Sequence, residues 1–306
     1  MEKTKAFAES IFTKYEVRYS RKEKDAFLAF CKAEFAKLGY GEAEITVQQS
    51  KLGGKNFVAG PPDADILFTA HYDTPGNNGY FSLPGRSVFG HVLSSFLSLL
   101  IVLVIFAVPY LFPPEYSFVF NMLILILIVF LFGVKNKHNH NDNSSGVISV
   151  FNMAENIAEN PELRGKCAFA LFDNEEKMLL GSMAFAKWRR KNYPEKINSP
   201  VINFDCVGAG DKLLVASKND HDNWHKMAEF LQNEGFEVSK KRSGMLLLSD
   251  DASFQKGVFL AFMQKSKLGY MYYPNIHTKK DTVCDVENIG RLCASVYKYV
   301  SGVINV

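Results

Sequence analysis

Residues 65–74 read DILFTAHYDT, and the parsing of that stretch decides the fold. The run from Ile66 to Ala70 neither alternates with polar residues nor repeats at a helical period. It is too short for a helix and is bounded upstream by Gly60-Pro61-Pro62, so it reads as a strand buried on both faces at the centre of a sheet. The strand delivers the chain straight to His71 and Asp73. Ligands of open α/β sheets bind just beyond the strand C-termini, so the same stretch marks a candidate site.

Upstream, residues 22–38 (KEKDAFLAFCKAEFAKL) place Phe27, Leu28, Phe30, Cys31 and Phe35 mostly on one helical face, with Gly39 as the stop. Strands are expected at 43–48 and 56–59. Downstream, the pattern gives helices at 146–160, 177–191, 222–233 and 286–304, and strands at 166–172, 201–204, 213–216 and 258–262. Strands interleaved with helices imply an α/β fold, with a mixed, mostly parallel central sheet flanked by helices. No internal repeat is visible.

Between these parts the composition changes. From about residue 87 to 134 the only formally charged residue is Glu115, and Pro113-Pro114 divides two apolar arms of roughly 20 residues. At about 1.5 Å per helical residue each arm would span a hydrocarbon core of about 30 Å. The expectation is a two-helix transmembrane hairpin at 87–134 inserted into the α/β domain, with a first part of that domain at 1–86 and a second at 135–306. The lipid bilayer would then be a partner through residues 88–134. Arg86, Lys135 and Lys137 flank the hairpin on one side, which by the positive-inside rule places the α/β domain in the cytoplasm.

The bulk numbers exclude several classes. The chain has 306 residues and a net charge of +3, with basic residues scattered rather than striped, so nucleic acid is not an expected partner. Five widely spaced cysteines form no CxxC pair, which argues against a disulfide framework or a cysteine-based zinc site. The N-terminus is charged and lacks the apolar core of a secretory signal.

Chemistry-bearing residues gather at the predicted strand ends. His71 and Asp73 follow DILFTA, Glu175 and Glu176 follow CAFALF, and Asp205 follows VINF. Asp142 stands in NDNSSG at a helix start, and His277 in the loop PNIHTKKDT. Singly these are weak signals: an adjacent Glu-Glu is ordinarily a solvated turn, and an Asp opening a helix is ordinarily a cap. Together they make two imidazoles and a set of carboxylates, the donor chemistry of a borderline divalent metal, most simply zinc. His221 and His225 lack an HExxH pattern and read as a helix start. His138 and His140 read as a polar linker, and Cys206 as packing behind the site.

The series HYD, NDNSSG, DNEE, NFDCVG and SDDASF…PNIHTKKDT resembles the co-catalytic di-zinc aminopeptidase family, which includes bacterial leucyl aminopeptidases. The resemblance covers nearly the whole chain outside the hairpin and implies a zinc exopeptidase-like fold, two zinc ions (other divalent metals being possible) and a peptide substrate. It implies that His71 and Asp205 hold one ion, that Glu176 and His277 hold the other, and that Asp142 bridges them. Glu175 would be the general base, and Asp73 would accept a hydrogen bond from the second ring nitrogen of His71. A shared carboxylate offsets the repulsion of two cations about 3.5–4 Å apart.

Two positions depart from the family pattern. Leu246 stands where a tyrosine often supplies an oxyanion hydrogen bond, leaving Tyr270, Tyr272 or Tyr273 to substitute, and Asp251 stands where a histidine is common. The alternatives are a glutaminyl-cyclase-like or carboxypeptidase-like zinc enzyme, or an inactive membrane-tethered binding protein.

Overall fold

The computed structural model describes residues 1–49, 54–76, 100, 103, 107, 113–132, 135–242, 249–267, 269 and 271–304. At the centre lies β3 (Ile66–His71), and all six of its residues are buried. Its side chains alternate: Ile66, Phe68 and Ala70 enter one apolar cluster, and Leu67 enters another on the opposite face. The neighbouring β4 (Cys167–Phe172) alternates likewise, with Cys167, Phe169 and Leu171 on the first face and Ala168, Ala170 and Phe172 on the second. That two-sided burial is why both strands are almost wholly apolar before their ends, the exception being Thr69, whose hydroxyl donates to Asn203 Oδ1.

The strand order is β1–β2–β4–β3–β5–β8–β6–β7, with β9 paired to β8. The flanking strands are β1 (Ile45–Gln49), β2 (Lys55–Ala59), β5 (Val201–Phe204), β6 (Lys212–Ser217), β7 (Val238–Arg242), β8 (Gly257–Lys265) and β9 (Met271–Tyr272). Pairing is parallel through β4–β3–β5–β8 and between β6 and β7. It is antiparallel for β1–β2, β2–β4, β6–β8 and β8–β9. Strands from both sides of the apolar interval therefore share one sheet, and the C-terminal ends of β3, β4 and β5 open on the same edge.

Helices cover both faces. They are α1 (Glu2–Lys14), α2 (Arg21–Lys37), α3 (Ser117–Phe132), α4 (Ser145–Ala158), the single turn α5 (Pro161–Arg164), α6 (Leu180–Asn192), α7 (Asp222–Asn233) and α8 (Val286–Ile304). Phe7 and Ile11 of α1, Phe27 and Phe35 of α2, Val150 of α4 and Val296 of α8 join the first cluster, whereas Phe185 of α6 packs on the second. A capping box between Ser20 and Glu23 starts α2, and Gly39 ends it at φ +91°, a conformation that favours glycine.

The expected pair of membrane spans fails. Among the described residues, no helix is long and apolar enough to cross a membrane. In the second arm α3 has 16 residues, which at about 1.5 Å each is about 24 Å, short of a core of about 30 Å. The second arm does open at Ser117, after Pro113-Pro114 and the turn Pro114–Tyr116, and what falls short is the length of its helix. Most of the first arm lies outside the described residues. With the spans go the bilayer as a partner through residues 88–134 and the membrane-based placement of the catalytic domain.

Candidate metal centre

Five strand-end and loop residues meet beyond the parallel edge. His71 closes β3 and is 1% exposed. Its Nε2 lies 3.3 Å from Asp142 Oδ1, 3.7 Å from Asp205 Oδ1 and 3.9 Å from Glu175 Oε2. His277 Nε2 lies 2.7 Å from Asp142 Oδ2 and 3.3 Å from Glu176 Oε1. Two potential ligand groups result, His71–Asp142–Asp205 and Asp142–Glu176–His277, and in each the donor atoms lie within 4.8 Å of one another. The two oxygens of Asp142 face different groups.

The residues fit divalent cations. Tetrahedral donors about 2.0–2.2 Å from zinc stand roughly 3.3–3.6 Å apart, which is close to the spacing around His71. Among the described residues Glu176 Oε1 is buried with no partner outside the candidate ligands, its contact being His277 Nε2 at 3.3 Å, an acceptor of the kind a cation satisfies. Burial pushes the Glu175 carboxyl well up, and Glu176, Asp205 and Asp250 add to the shift against the opposing charge of His71. Glu176 is also raised, by burial and by Asp142, with His277 opposing. Asp142 goes the other way, because His277 and His71 overcome its burial. Burial alone would lower the two imidazoles, but the surrounding carboxylates push both well above the usual histidine range. Carboxylates thus exceed fixed cations, the electrostatic complement of a divalent metal.

Asp142 and Asp205 are held by residues that are not themselves candidate ligands. Asp281 accepts the backbone N–H groups of Asn141 (2.8 Å) and Asp142 (3.0 Å). Asn143 Nδ2 donates to the Phe204 carbonyl, and its Oδ1 accepts N–H groups of Gly146 and Cys206. Gly146 is required there, since a Cβ would stand 2.2 Å from the Phe204 oxygen. Asp205 Oδ2 accepts from Ser249 Oγ at 2.6 Å, and a buried chain continues through Asn203 to Thr69.

Asp73 sits where expected but acts through different atoms. His71 Nδ1 lies 3.2 Å from the Asp73 backbone carbonyl and 3.5 Å from its carboxylate. The carboxylate instead accepts the Glu175 N–H at 3.0 Å, so Asp73 links the ring of His71 to the turn carrying Glu175.

The other histidines stay apart. His221 caps α7 by accepting the Trp224 N–H, and His225 pairs with Asp220. His138 and His140 both reach Glu16 Oε1, at 2.9 and 3.2 Å. Cys206 is buried directly behind Asp205. Leu246 and Tyr270 lie outside the described residues. The Tyr272 hydroxyl is used by Gln264, whereas the Tyr273 hydroxyl is buried with no partner. Burial, followed by the charges of Cys206, Asp205, Asp251 and Asp142, drives the Tyr273 phenol far up.

Sequence reasoning missed Asp281, although it lies in the quoted PNIHTKKDT loop, and the supporting Asn143, Ser249, Arg18 and Lys24. Lys24 of α2 is buried against Asp173 and also donates to Asn174 Oδ1, immediately before Glu175. Nothing in a charged helical stretch distinguishes such a lysine from a solvated one.

The model for peptidase family M28 matches residues 133–297, more than half of the chain. Among solved structures, LapA aminopeptidase of Legionella pneumophila aligns with TM-score 0.64 and 16% identity, over 97% of this chain and 68% of that one. A Zn-dependent exopeptidase from Parabacteroides distasonis aligns with TM-score 0.61 and 14% identity, over 98% and 97%. Porphyromonas gingivalis glutaminyl cyclase gives TM-score 0.63 and 14% identity over the same shares. At these identities the likeness is one of fold. No curated protein matches. With the family model covering most of the site-bearing segment, the chain belongs to peptidase family M28 and is a zinc-dependent metallopeptidase.

Proposed function

We propose that the protein is an aminopeptidase working with two metal ions, zinc in the simplest case. His71 and Asp205 would hold one ion and Glu176 and His277 the other, with Asp142 shared between them. The observation that carries this reading is the split of Asp142, with Oδ1 at 3.3 Å from His71 and Oδ2 at 2.7 Å from His277. One carboxylate facing two donor groups is the arrangement a two-ion site needs.

When bound, the ions supply Lewis acidity toward the scissile carbonyl and acidify a water. The remaining steps belong to side chains. Glu175, whose Oε2 lies 3.9 Å from His71 Nε2, is the residue we assign to take the proton from water and return it to the leaving amine. Asp73 holds the Glu175 backbone, and thereby its aim, by accepting its N–H. The unpartnered Tyr273 hydroxyl is the donor we assign to the developing oxyanion, in the role that Leu246 cannot fill. The crowded carboxylates attract a free substrate amine, which favours N-terminal residues over internal ones.

The test is to count zinc per chain and assay aminoacyl-anilides for wild type and Glu175→Gln. Expected are two zinc ions in both proteins and a rate loss of about 10²–10⁴ in the variant. One zinc per chain would favour a cyclase-like reaction on N-terminal glutamine. Two zinc ions with no hydrolysis by wild type would favour a binding protein.

A further inference from the structure

We propose that Arg18 is a positioning residue of the metal centre, its guanidinium tying the turn that carries His71 and Asp73 to the loop that carries Asp142. Arg18 is 0% exposed and among the largest fully buried side chains. Its Nε donates to the Tyr72 carbonyl, on the residue between His71 and Asp73. Its Nη1 donates to Ser144 Oγ at 3.1 Å and to the Tyr15 carbonyl at 2.7 Å. Ser144 lies two residues after Asp142. The Arg18 backbone adds a second grip, donating to Thr74 Oγ1 at 3.0 Å and accepting the Thr74 N–H at 3.3 Å. The ring of Phe27 lies 5.1 Å from the guanidinium carbon and fixes the fork from another side.

Simple core filling does not explain this residue. A buried guanidinium is costly unless it is well partnered, and among the described residues Nη2 has no hydrogen-bond partner. An aliphatic side chain would fill the same space without that cost. What the guanidinium adds is a planar fork that bonds the Tyr72 carbonyl and the Ser144 hydroxyl at once, which a lysine ammonium on a flexible stem does not reproduce. The segments it joins carry His71 on one side and the shared Asp142 on the other, whose separation sets the first ligand group.

Charge and positioning predict opposite signs. Removing a buried cation beside Asp73 and Asp142 would, by charge alone, tighten divalent binding; loosening the two loops would weaken it. Arg18→Lys keeps the charge and loses the fork, so it weakens binding at least as much as Arg18→Met. The full chain and its Arg18→Lys, Arg18→Met and Ser144→Ala variants would be titrated with zinc against a chromophoric chelator, with the metal-free proteins melted in parallel.

Expected are cooperative melts and zinc affinity about 10–100-fold weaker in both Arg18 variants, as for other residues that orient metal ligands. Ser144→Ala should cost several-fold, and less on the Arg18→Lys background. Folded Arg18 variants that bind zinc as tightly as wild type, or more tightly, would overturn the proposal. If neither Arg18 variant folds, Ser144→Ala decides, and wild-type affinity there overturns it. The proposal rests on the metal-centre reading. Wild type that binds no zinc would refute that reading, whereas equal binding by wild type and variants refutes only the role of Arg18.

Discussion

The buried pair Lys24–Asp173 permits a quantitative prediction, because its surroundings leave little solvent to screen it. The two side chains are 10% and 4% exposed. Asp173 Oδ2 also accepts the Lys55 N–H at 3.0 Å, and the Asp173 N–H goes to Asn56 Oδ1 at 3.1 Å. Lys24→Met keeps most of the stem and removes the charge, leaving a buried carboxylate with one backbone donor. Breaking a buried pair in this way costs about 3–5 kcal/mol. For 306 residues at about 2.1 cal/mol/K each, the unfolding entropy is about 0.64 kcal/mol/K, so Tm should fall by about 5–8 °C. Asp173→Asn alone should also destabilise. The double variant, with neither charge left, should recover most of the loss, giving a coupling of about 2 kcal/mol or more. Calorimetric melts of the four proteins measure this directly. A fall of less than about 1.5 °C in Lys24→Met, or strict additivity in the double variant, would refute the reasoning. Because Asp173 and Asn174 lead directly into Glu175, the same variant should lower kcat more than it raises KM.

Other perturbations separate the roles assigned above. Asp142→Asn keeps the shape and removes the shared charge; a unit charge about 4 Å from a cation is worth about 4 kcal/mol at an effective dielectric of about 20. Metal content should therefore drop toward one ion per chain, read by elemental analysis after dialysis. Tyr273→Phe should lower kcat by about 10²–10³ with KM little changed, as for loss of one oxyanion donor; an unchanged kcat would remove Tyr273 from the reaction. Asp251 is 1% exposed with neither carboxylate oxygen partnered, and burial, then Asp250 and Asp205, push its carboxyl well above 3.8. A raised acid favours folding only while protonated, so its penalty is absent below about pH 4 and grows as pH rises. Asp251→Asn should thus melt higher than wild type at pH 8 and no higher at pH 4; a lower melt at pH 8 would contradict the burial argument.

Where hydrophobic pattern alone sets an element, its reading and its structure coincide: β5 spans Val201–Phe204, α7 Asp222–Asn233 and α8 Val286–Ile304, as expected. Of the candidate site residues, His71, Glu175, Glu176 and Asp205 stood out because apolar strands make their polar termini conspicuous, whereas Asp142 at a helix start and His277 in a loop stood out only in combination with them. The misses have a common cause, polar residues in structural roles. Helix α1 buries Phe7, Ala8 and Ile11 beneath a sequence that looked merely charged. Strand β7 is VSKKR, and charged edge strands avoid the alternation that identifies inner ones. Arg18 and Lys24 carry surface chemistry into the interior, and only their partners reveal it. The second apolar arm failed in the opposite direction, since apolar composition does not by itself set helix length and α3 runs for 16 residues.

On the proposed two-ion reading, the two halves of the centre are not supported alike, and this decides which ion Asp142→Asn should retain. On the His71 side, the ring is 1% exposed and lies against the Asp73 carbonyl. Asp205 is fixed by Ser249 and, through Asn203, by Thr69 of the same central strand. On the other side, the His277 side chain is 30% exposed, and Glu176 Oε1 has no hydrogen bond holding it. A ligand already locked by packing and hydrogen bonds loses little freedom when a metal arrives, whereas a loose one must be ordered by the metal itself. The shared carboxylate therefore matters most to the His277 side, which has least other support. The ion that survives its loss should be the one held by His71 and Asp205, and a His277→Ala variant should resemble Asp142→Asn in metal content while His71→Ala loses both ions.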